Sequence, residues 1–176
     1  MDLQTDELRS PDTLRDLNNA AIPDVNRIDH RKADWLIAHS SLARVATLDG
    51  QAAGVIIVLH DYAHLDSDYF RWFTQRYENF LYIDRVIVAA TARRRGVATK
   101  LYLEVDALAL STSRAIASEV YCEPPNIASL RFHQKMGYRE IGRQFSPAES
   151  KTVSKLMKFA DHAKSRGEHR PADAIG

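Results

Sequence analysis

The stretch from Leu42 to Leu59 constrains the fold more than any other. Leu42 to Leu48 and Gln51 to Leu59 are two strand-like runs, and Asp49-Gly50 stands between them. Asp-Gly readily adopts the positive φ angles of a two-residue hairpin turn, so this stretch predicts two antiparallel strands. The period on either side is different. Leu14, Leu17, Ala20 and Ala21 recur at helical spacing behind Ser10-Pro11-Asp12, a suitable helix start, and Pro23 ends that helix. A second helix is expected over Arg31 to Ala38, so the amino-terminal third reads as helical. From Asp61 to Asn79 the pattern is irregular and aromatic, with Tyr62, Tyr69, Phe70, Trp72, Phe73 and Tyr77. That segment reads as a loop with a short helix, its rings either walling a substrate or simply packing.

The second half alternates. Phe80 to Ala89 reads as a strand, and Val97, Leu101, Val105 and Leu108 follow as one face of an amphipathic helix. Ala115 to Glu123 is the next strand. Asn126 opens a helix running to about Met136, with Gly137 as its cap. Tyr138 to Phe145 and Thr152 to Phe159 are two last strands around Ser146-Pro147. Helices, hairpin, strand–helix–strand–helix and hairpin describe a mixed α/β fold on one sheet. Residues 1–160 read as one domain and 161–176 as a polar tail.

Composition narrows the function classes. A length of 176 residues suits one domain, and 45% hydrophobic with 27% charged residues is ordinary for a globular protein. Lys and Arg total 24 against 23 Asp and Glu, so no global field recruits nucleic acid or an acidic membrane. Anion recognition must be local. One cysteine, Cys122, excludes a disulfide framework or a multi-cysteine metal site within the chain and reads as packing. His60 and His64 have metal spacing only on a helix and lack an evident third ligand, so no metal is expected. The acidic start, and an apolar run no longer than Val55 to Leu59, point to a cytoplasmic protein without a membrane span.

Two motifs carry chemistry. In the first, Val86-Ile87-Val88 leads through a short loop to Arg93-Arg94-Arg95-Gly96-Val97-Ala98 at the start of a helix. A helix start presents unpaired N–H groups and a positive dipole end, both suited to pyrophosphate. Gly96 permits close approach, and three arginines where the dipole disfavours them suggest a bound anion. A solvated basic helix start is the plainer alternative, and nucleic-acid binding through so short a basic run is weaker still. The second motif, Asn126 to Tyr138, reads on its own as a capped helix.

Together the motifs resemble the GNAT superfamily of acetyl-CoA-dependent N-acetyltransferases. Arg93-x-x-Gly96-x-Ala98 is similar to its pyrophosphate loop. Asn126-x-x-Ser129-x-x-Phe132-His133-x-Lys135-x-Gly137-Tyr138 is similar to its later helix motif. Tyr82-Ile83-Asp84-Arg85-Val86 also looks like small bacterial members without assigned substrates. The resemblance implies a mixed, mostly antiparallel, splayed sheet flanked by helices in a single domain. It implies acetyl-CoA as donor, direct transfer, and a primary amine as acceptor. The acceptor is a small molecule or a peptide amine, and a homodimer stays open. The alternatives are a coenzyme-A-binding regulatory module without turnover, or the same fold acting on a protein N-terminus or lysine.

The resemblance also assigns roles. Val86, Ile87 and Val88 would bind the acetyl group and pantetheine arm through their backbone. Arg93, Arg94, Arg95, Gly96, Val97, Ala98 and Thr99 would cradle the pyrophosphate. Asn126 and Ser129 would meet the pantetheine arm, with helix capping as Asn126's competing role. Arg131 and Lys135 would either reach the nucleotide end or, the plainer reading, stay solvated helix charges. A general base must take the amine proton. Glu119 resembles the family's base, two residues farther upstream of Asn126 than is usual, where strict counting selects Tyr121. Glu119 and Tyr121 share a strand face. Asp84 is the rival base, on one face with Val86 and Val88, unless it simply pairs with Arg85. His133 replaces the family's tyrosine acid and either donates a proton to the thiolate or positions the coenzyme. Acceptor contacts would come from 31–39 and 61–79, where Asp66 and Asp68 could attract a cation.

Overall fold

In the computed structural model, which describes residues 2–159, seven strands take the order β1-β2-β3-β4-β5-β7-β6. They are β1 (Leu3–Glu7), β2 (Leu42–Leu48), β3 (Gln51–His60), β4 (Phe80–Val88), β5 (Ala115–Glu123), β6 (Arg139–Ser146) and β7 (Lys151–Lys158). Five helices accompany them: α1 (Pro11–Ala20), α2 (His30–Ala38), α3 (Asp68–Thr74), α4 (Val97–Thr112) and α5 (Ile127–Lys135). The fold is mixed α/β with a mostly antiparallel sheet. The expected tail over 161–176 lies outside the described residues. The chain divides into two compact units, one formed by residues up to His60 with Ile83–Leu108, the other by Asp61–Tyr82 with the described residues from Ala109 onward.

In the first unit, Asp49 and Gly50 both take positive φ, 51° and 83°, as the tight hairpin between β2 and β3 demands. β1 pairs with β2 from Leu3↔Leu48 to Glu7↔Arg44. This strand departs from the helical expectation for the amino-terminal third. Leu-Gln-Thr-Asp-Glu lacks the apolar alternation that announces a strand, and half-exposure at a sheet edge is why it can. Ser10 caps α1 by accepting from the Thr13 N–H at 3.2 Å, and Asp29 caps α2 through the Lys32 N–H at 2.7 Å. Leu14, Ala33 and Leu36 put the apolar faces of those helices in the core. Gly54 of β3 is where α4 and β4 come close. A Cβ there would stand 2.7 Å from the Ile87 carbonyl oxygen and 2.8 Å from Val97 Cγ1.

In the second unit, the parallel pairing of β4 with β5 runs through Phe80↔Ala115, Leu81↔Ile116 and Tyr82↔Ala117. β5 continues to Glu123, pairing antiparallel with β7, which pairs in turn with β6. α3 buries Phe70 and Phe73. Phe70 meets Phe80 and Tyr82 edge-on, at centroid separations of 6.4 and 5.0 Å, so at these positions the aromatic segment is core. Asp61 ties the unit together by accepting from the Asn79 N–H at 2.7 Å and pairing with Arg114 at 2.9 Å. On β5 the half-buried Cys122 thiol donates to the Thr152 carbonyl oxygen at 3.4 Å, and burial pushes its pKa up.

Candidate active site

The first unit holds the turn between β4 and α4. Arg93 is extended, Arg94 has φ 61° and Gly96 φ 83°, and residues 93–96 are exposed. The helical bond from the Lys100 N–H to the Gly96 carbonyl spans 2.9 Å. The N–H groups of Val97, Ala98 and Thr99 therefore precede any helical acceptor, and no acidic side chain stands in α4's first turn. Gly96 itself carries no capping side chain. Arg93 reaches Asp24 at 3.5 Å and Arg95 reaches Asp49 at 3.3 Å, both exposed pairs that a stronger anion can displace. Upstream, Ile87 is buried and Val86 and Val88 are half-buried.

Asp84 lies in the same unit. Its Oδ2 accepts from Arg85 Nε at 2.7 Å, and Arg85 Nη1 donates to Asn18 Oδ1 at 2.7 Å. Asp84 is only 9% exposed and Arg85 13%. The ordinary pairing that rivalled a base role is formed here.

Glu119 belongs to the second unit, on β5. The Tyr82 hydroxyl donates to its Oε1 at 2.5 Å, and Lys155 Nζ stands 3.9 Å from Oε2. The Glu119 side chain is 14% exposed, with Oε2 itself buried, and the lysine side chain is fully buried. Burial pulls the Lys155 pKa down to about 8, against the opposing pull of Glu119. The Tyr121 hydroxyl donates to Glu149 at 3.0 Å, and burial with that carboxylate pushes its pKa up to about 12. A phenol that retains its proton so firmly is no base, which leaves Glu119 the better candidate on that strand face.

His133 is buried, 3% exposed, on α5. Its Nδ1 lies 2.8 Å from the Ser129 carbonyl oxygen, an acceptor, so Nδ1 carries the hydrogen. Nε2 faces the Ser118 hydroxyl at 3.5 Å, and the ring stands edge-on to Tyr138 at 5.1 Å. Burial lowers its pKa, so the imidazole is neutral near pH 7. Asn126 caps α5 by accepting from the Ser129 N–H at 3.1 Å, and the Ser129 hydroxyl lies 3.4 Å from His133 Nδ1. In the 61–79 segment, Asp66 and Asp68 both engage Arg71, at 3.3 and 2.5 Å.

Sequence reading missed Tyr82 and Lys155. A lysine in the polar–apolar alternation of a terminal strand looks solvent-facing, and only the β5–β7 register brings it opposite Glu119. His60 ends β3 and no helix spans His60 to His64, so their metal spacing is not realised. Among the described residues no group of three or more His, Cys, Asp or Glu is placed to hold a metal, and no helix is long and apolar enough to cross a membrane.

A model of the acetyltransferase (GNAT) family matches residues 7–138, most of the chain. The chain belongs to the GNAT acetyltransferase family. Its fold is similar to that of Chaetomium thermophilum Naa20 in complex with a bisubstrate analogue, at 20% identity and TM-score 0.73, covering 95% of this chain and 92% of that one. Ard1 from Thermoplasma volcanium aligns at 16% identity and TM-score 0.72, over 91% and 99% of the two chains. Arabidopsis thaliana NAA60 in complex with acetyl-CoA aligns at 16% identity and TM-score 0.69, over 90% and 100%. At these identities the likeness is one of GNAT fold. No curated protein sequence matches the chain.

Proposed function

We propose that this GNAT chain moves an acetyl group from acetyl-CoA directly to a primary amine. The observation that carries the reading is the β4–α4 turn. Two departures into positive φ, at Arg94 and Gly96 on either side of Arg95, lead into a helix start whose first N–H groups lack helical acceptors and whose neighbours are three arginines. That chemistry fits a pyrophosphate, the charged centre of coenzyme A. Residues 93–99 would hold it, and the Val86–Val88 backbone would take the pantetheine arm. The site's fit to the cofactor rests on this donor set.

The coenzyme supplies an acyl thioester. The amine nitrogen bonds to the carbonyl carbon, the C–S bond breaks with its electrons going to sulfur, and the amine loses one proton. Glu119 is the base for that proton, directly or through a water, because its carboxylate meets its cation only at 3.9 Å while Asp84 is paired with Arg85 at 2.7 Å. His133 serves as a positioning residue. A neutral imidazole with its only hydrogen on Nδ1, committed to Ser129, has none at Nε2 to give, so the thiolate takes its proton from solvent. Asn126 keeps its cap role through Oδ1 and offers the pantetheine arm the donor hydrogens of its Nδ2 amide. The single cysteine fits a cytoplasmic setting.

Calorimetry with acetyl-CoA tests the donor site. Gly96→Glu should abolish binding, since it sets bulk and negative charge against the phosphates. Gly96→Ala, which shares the strain of φ 83° without the charge, separates repulsion from strain. Equal affinity in the Glu variant removes the turn from the site. Release of free thiol across a panel of amines, polyamines and peptides then distinguishes turnover from binding. Alanine-terminated peptides belong in the panel, because the ribosomal-protein-S18-alanine N-acetyltransferase of Escherichia coli shares the fold at TM-score 0.70 and 12% identity.

A further inference from the structure

Lys155 is the most unusual charge in the second unit. It sits on β7 directly opposite Glu119 of β5 on one side and Gly142 of β6 on the other. Its side chain is 0% exposed. Burying an ammonium is costly unless its environment compensates, and the compensation here is specific. Nζ lies 4.5 Å from the ring centroid of Tyr69, 5.0 Å from Phe73 and 5.7 Å from Trp72, three rings of α3. It donates to the Tyr69 carbonyl oxygen at 3.1 Å. The rings' negative faces suit a cation.

The glycine beside it makes this cage possible. A Cβ on Gly142 would fall 2.7 Å from Trp72 Cζ2, so any larger residue on β6 would push the indole off the lysine. Methionine would fill such an apolar cage as well as lysine does, so packing alone does not call for the charge. The charge acts on the Glu119 carboxylate. Glu119 Oε2 is 3.9 Å away, and the Tyr82 hydroxyl holds the other oxygen.

We propose that Lys155 is a positioning residue for Glu119: its caged ammonium and the Tyr82 hydroxyl together fix the carboxylate's direction and keep it charged. The assignment rests on the reading of Glu119 as base. The ammonium, wholly buried, touches no substrate and acts only through Glu119. The groups facing Lys155 are few: Glu119 from β5, Tyr69 from α3, and Arg76 just beyond α3, whose guanidinium stacks on Trp72 at 4.4 Å and opposes the lysine's charge. β6 sets Gly142 opposite Lys155. With its pKa drawn down to about 8, Lys155 loses its hold on Glu119 in alkaline solution.

The test reads the pair itself before any rate. In Lys155→Met, the Glu119 carboxyl carbon, followed by NMR in the acceptor-free protein, should titrate at higher pH than in wild type, by about one unit or more. Reciprocally, Lys155 in Glu119→Gln should titrate below its wild-type midpoint. With an acceptor from the panel, the acid limb of kcat/KM in Lys155→Met should move up in step with the carboxyl, while acetyl-CoA affinity and thermal stability hold. Titrations unchanged by either substitution overturn the proposal, and so does a Lys155→Met protein whose only defect is a lower melting temperature. Shifted titrations with an unmoved acid limb uphold the electrostatic hold and reject Glu119 as the base.

Discussion

Asp84 and Glu119 are both strand carboxylates largely withdrawn from water, at 9% and 14% exposure, yet their partners differ in kind. Asp84 meets a guanidinium at 2.7 Å, and that guanidinium is anchored in turn by Asn18. Its charge is fully spent on a neighbour. Glu119 accepts the Tyr82 phenolic hydrogen bond and faces an ammonium at 3.9 Å, beyond direct bonding distance. Such a carboxylate is oriented and kept charged without being neutralised by contact. The contrast teaches that nearness to a cation does not mark a base. What counts is how tightly the cation and its own anchors engage the carboxylate.

Substitution should pull the two apart. The largest effect belongs to Glu119→Gln, which should lower turnover by roughly 10²–10⁴-fold while acetyl-CoA affinity measured by calorimetry stays near wild type. Asp84→Asn should do the opposite. It strands the Arg85 cation and should cost about 2 kcal/mol, roughly thirtyfold in the folding equilibrium by urea melts, with turnover per folded molecule within a fewfold of wild type. If the rate losses fall in the reverse order, the base is Asp84.

Tyr82→Phe sharpens the Glu119 side of the contrast. Losing the hydrogen bond to Oε1 should reduce kcat about tenfold without changing acetyl-CoA binding. Equal rates would reduce Tyr82 to packing. The smallest effect concerns His133. Because burial lowers its folded pKa, the unfolded chain binds the proton first as pH falls, so this group's contribution is complete above roughly pH 6.5 and declines below it. Thermal melts from pH 8 to 5 should show this decline in wild type and lose that component in His133→Gln. A melting curve equally steep in the variant assigns the acid sensitivity elsewhere.

The sequence exposed what local chemistry encodes. Asp49-Gly50 announced β2 and β3, and the strand expected over Ala115 to Glu123 is β5 with those bounds. Ser10, Asn126 and Gly137 marked helix limits through their caps. What stayed hidden depends on register. β1 falls in the third that reads as helical, too polar to announce a strand, and its strand state comes from β2 beside it. Lys155 was invisible for a sharper reason. Nothing in Lys-Thr-Val-Ser-Lys-Leu-Met-Lys says which lysine turns inward, and the decision lies with Gly142 on one neighbouring strand and Glu119 on the other. A glycine in the middle of a predicted strand does signal a close approach, and with the aromatic spacing of 69–73 it was the available clue. Likewise Asp84-Arg85 pairing was foreseeable from adjacency, whereas the anchoring by Asn18 needed the fold.

The state of Cys122 has a practical bearing on how turnover is measured. An aromatic disulfide reagent that detects released coenzyme A reacts with thiolates, and a thiol whose pKa is raised by burial and whose S–H is engaged by Thr152 presents little thiolate near neutral pH. With one cysteine per chain, the protein's own colour is also capped at a single equivalent. Colour beyond that first equivalent, in a continuous trace with amine and acetyl-CoA present, therefore counts coenzyme released rather than enzyme modified.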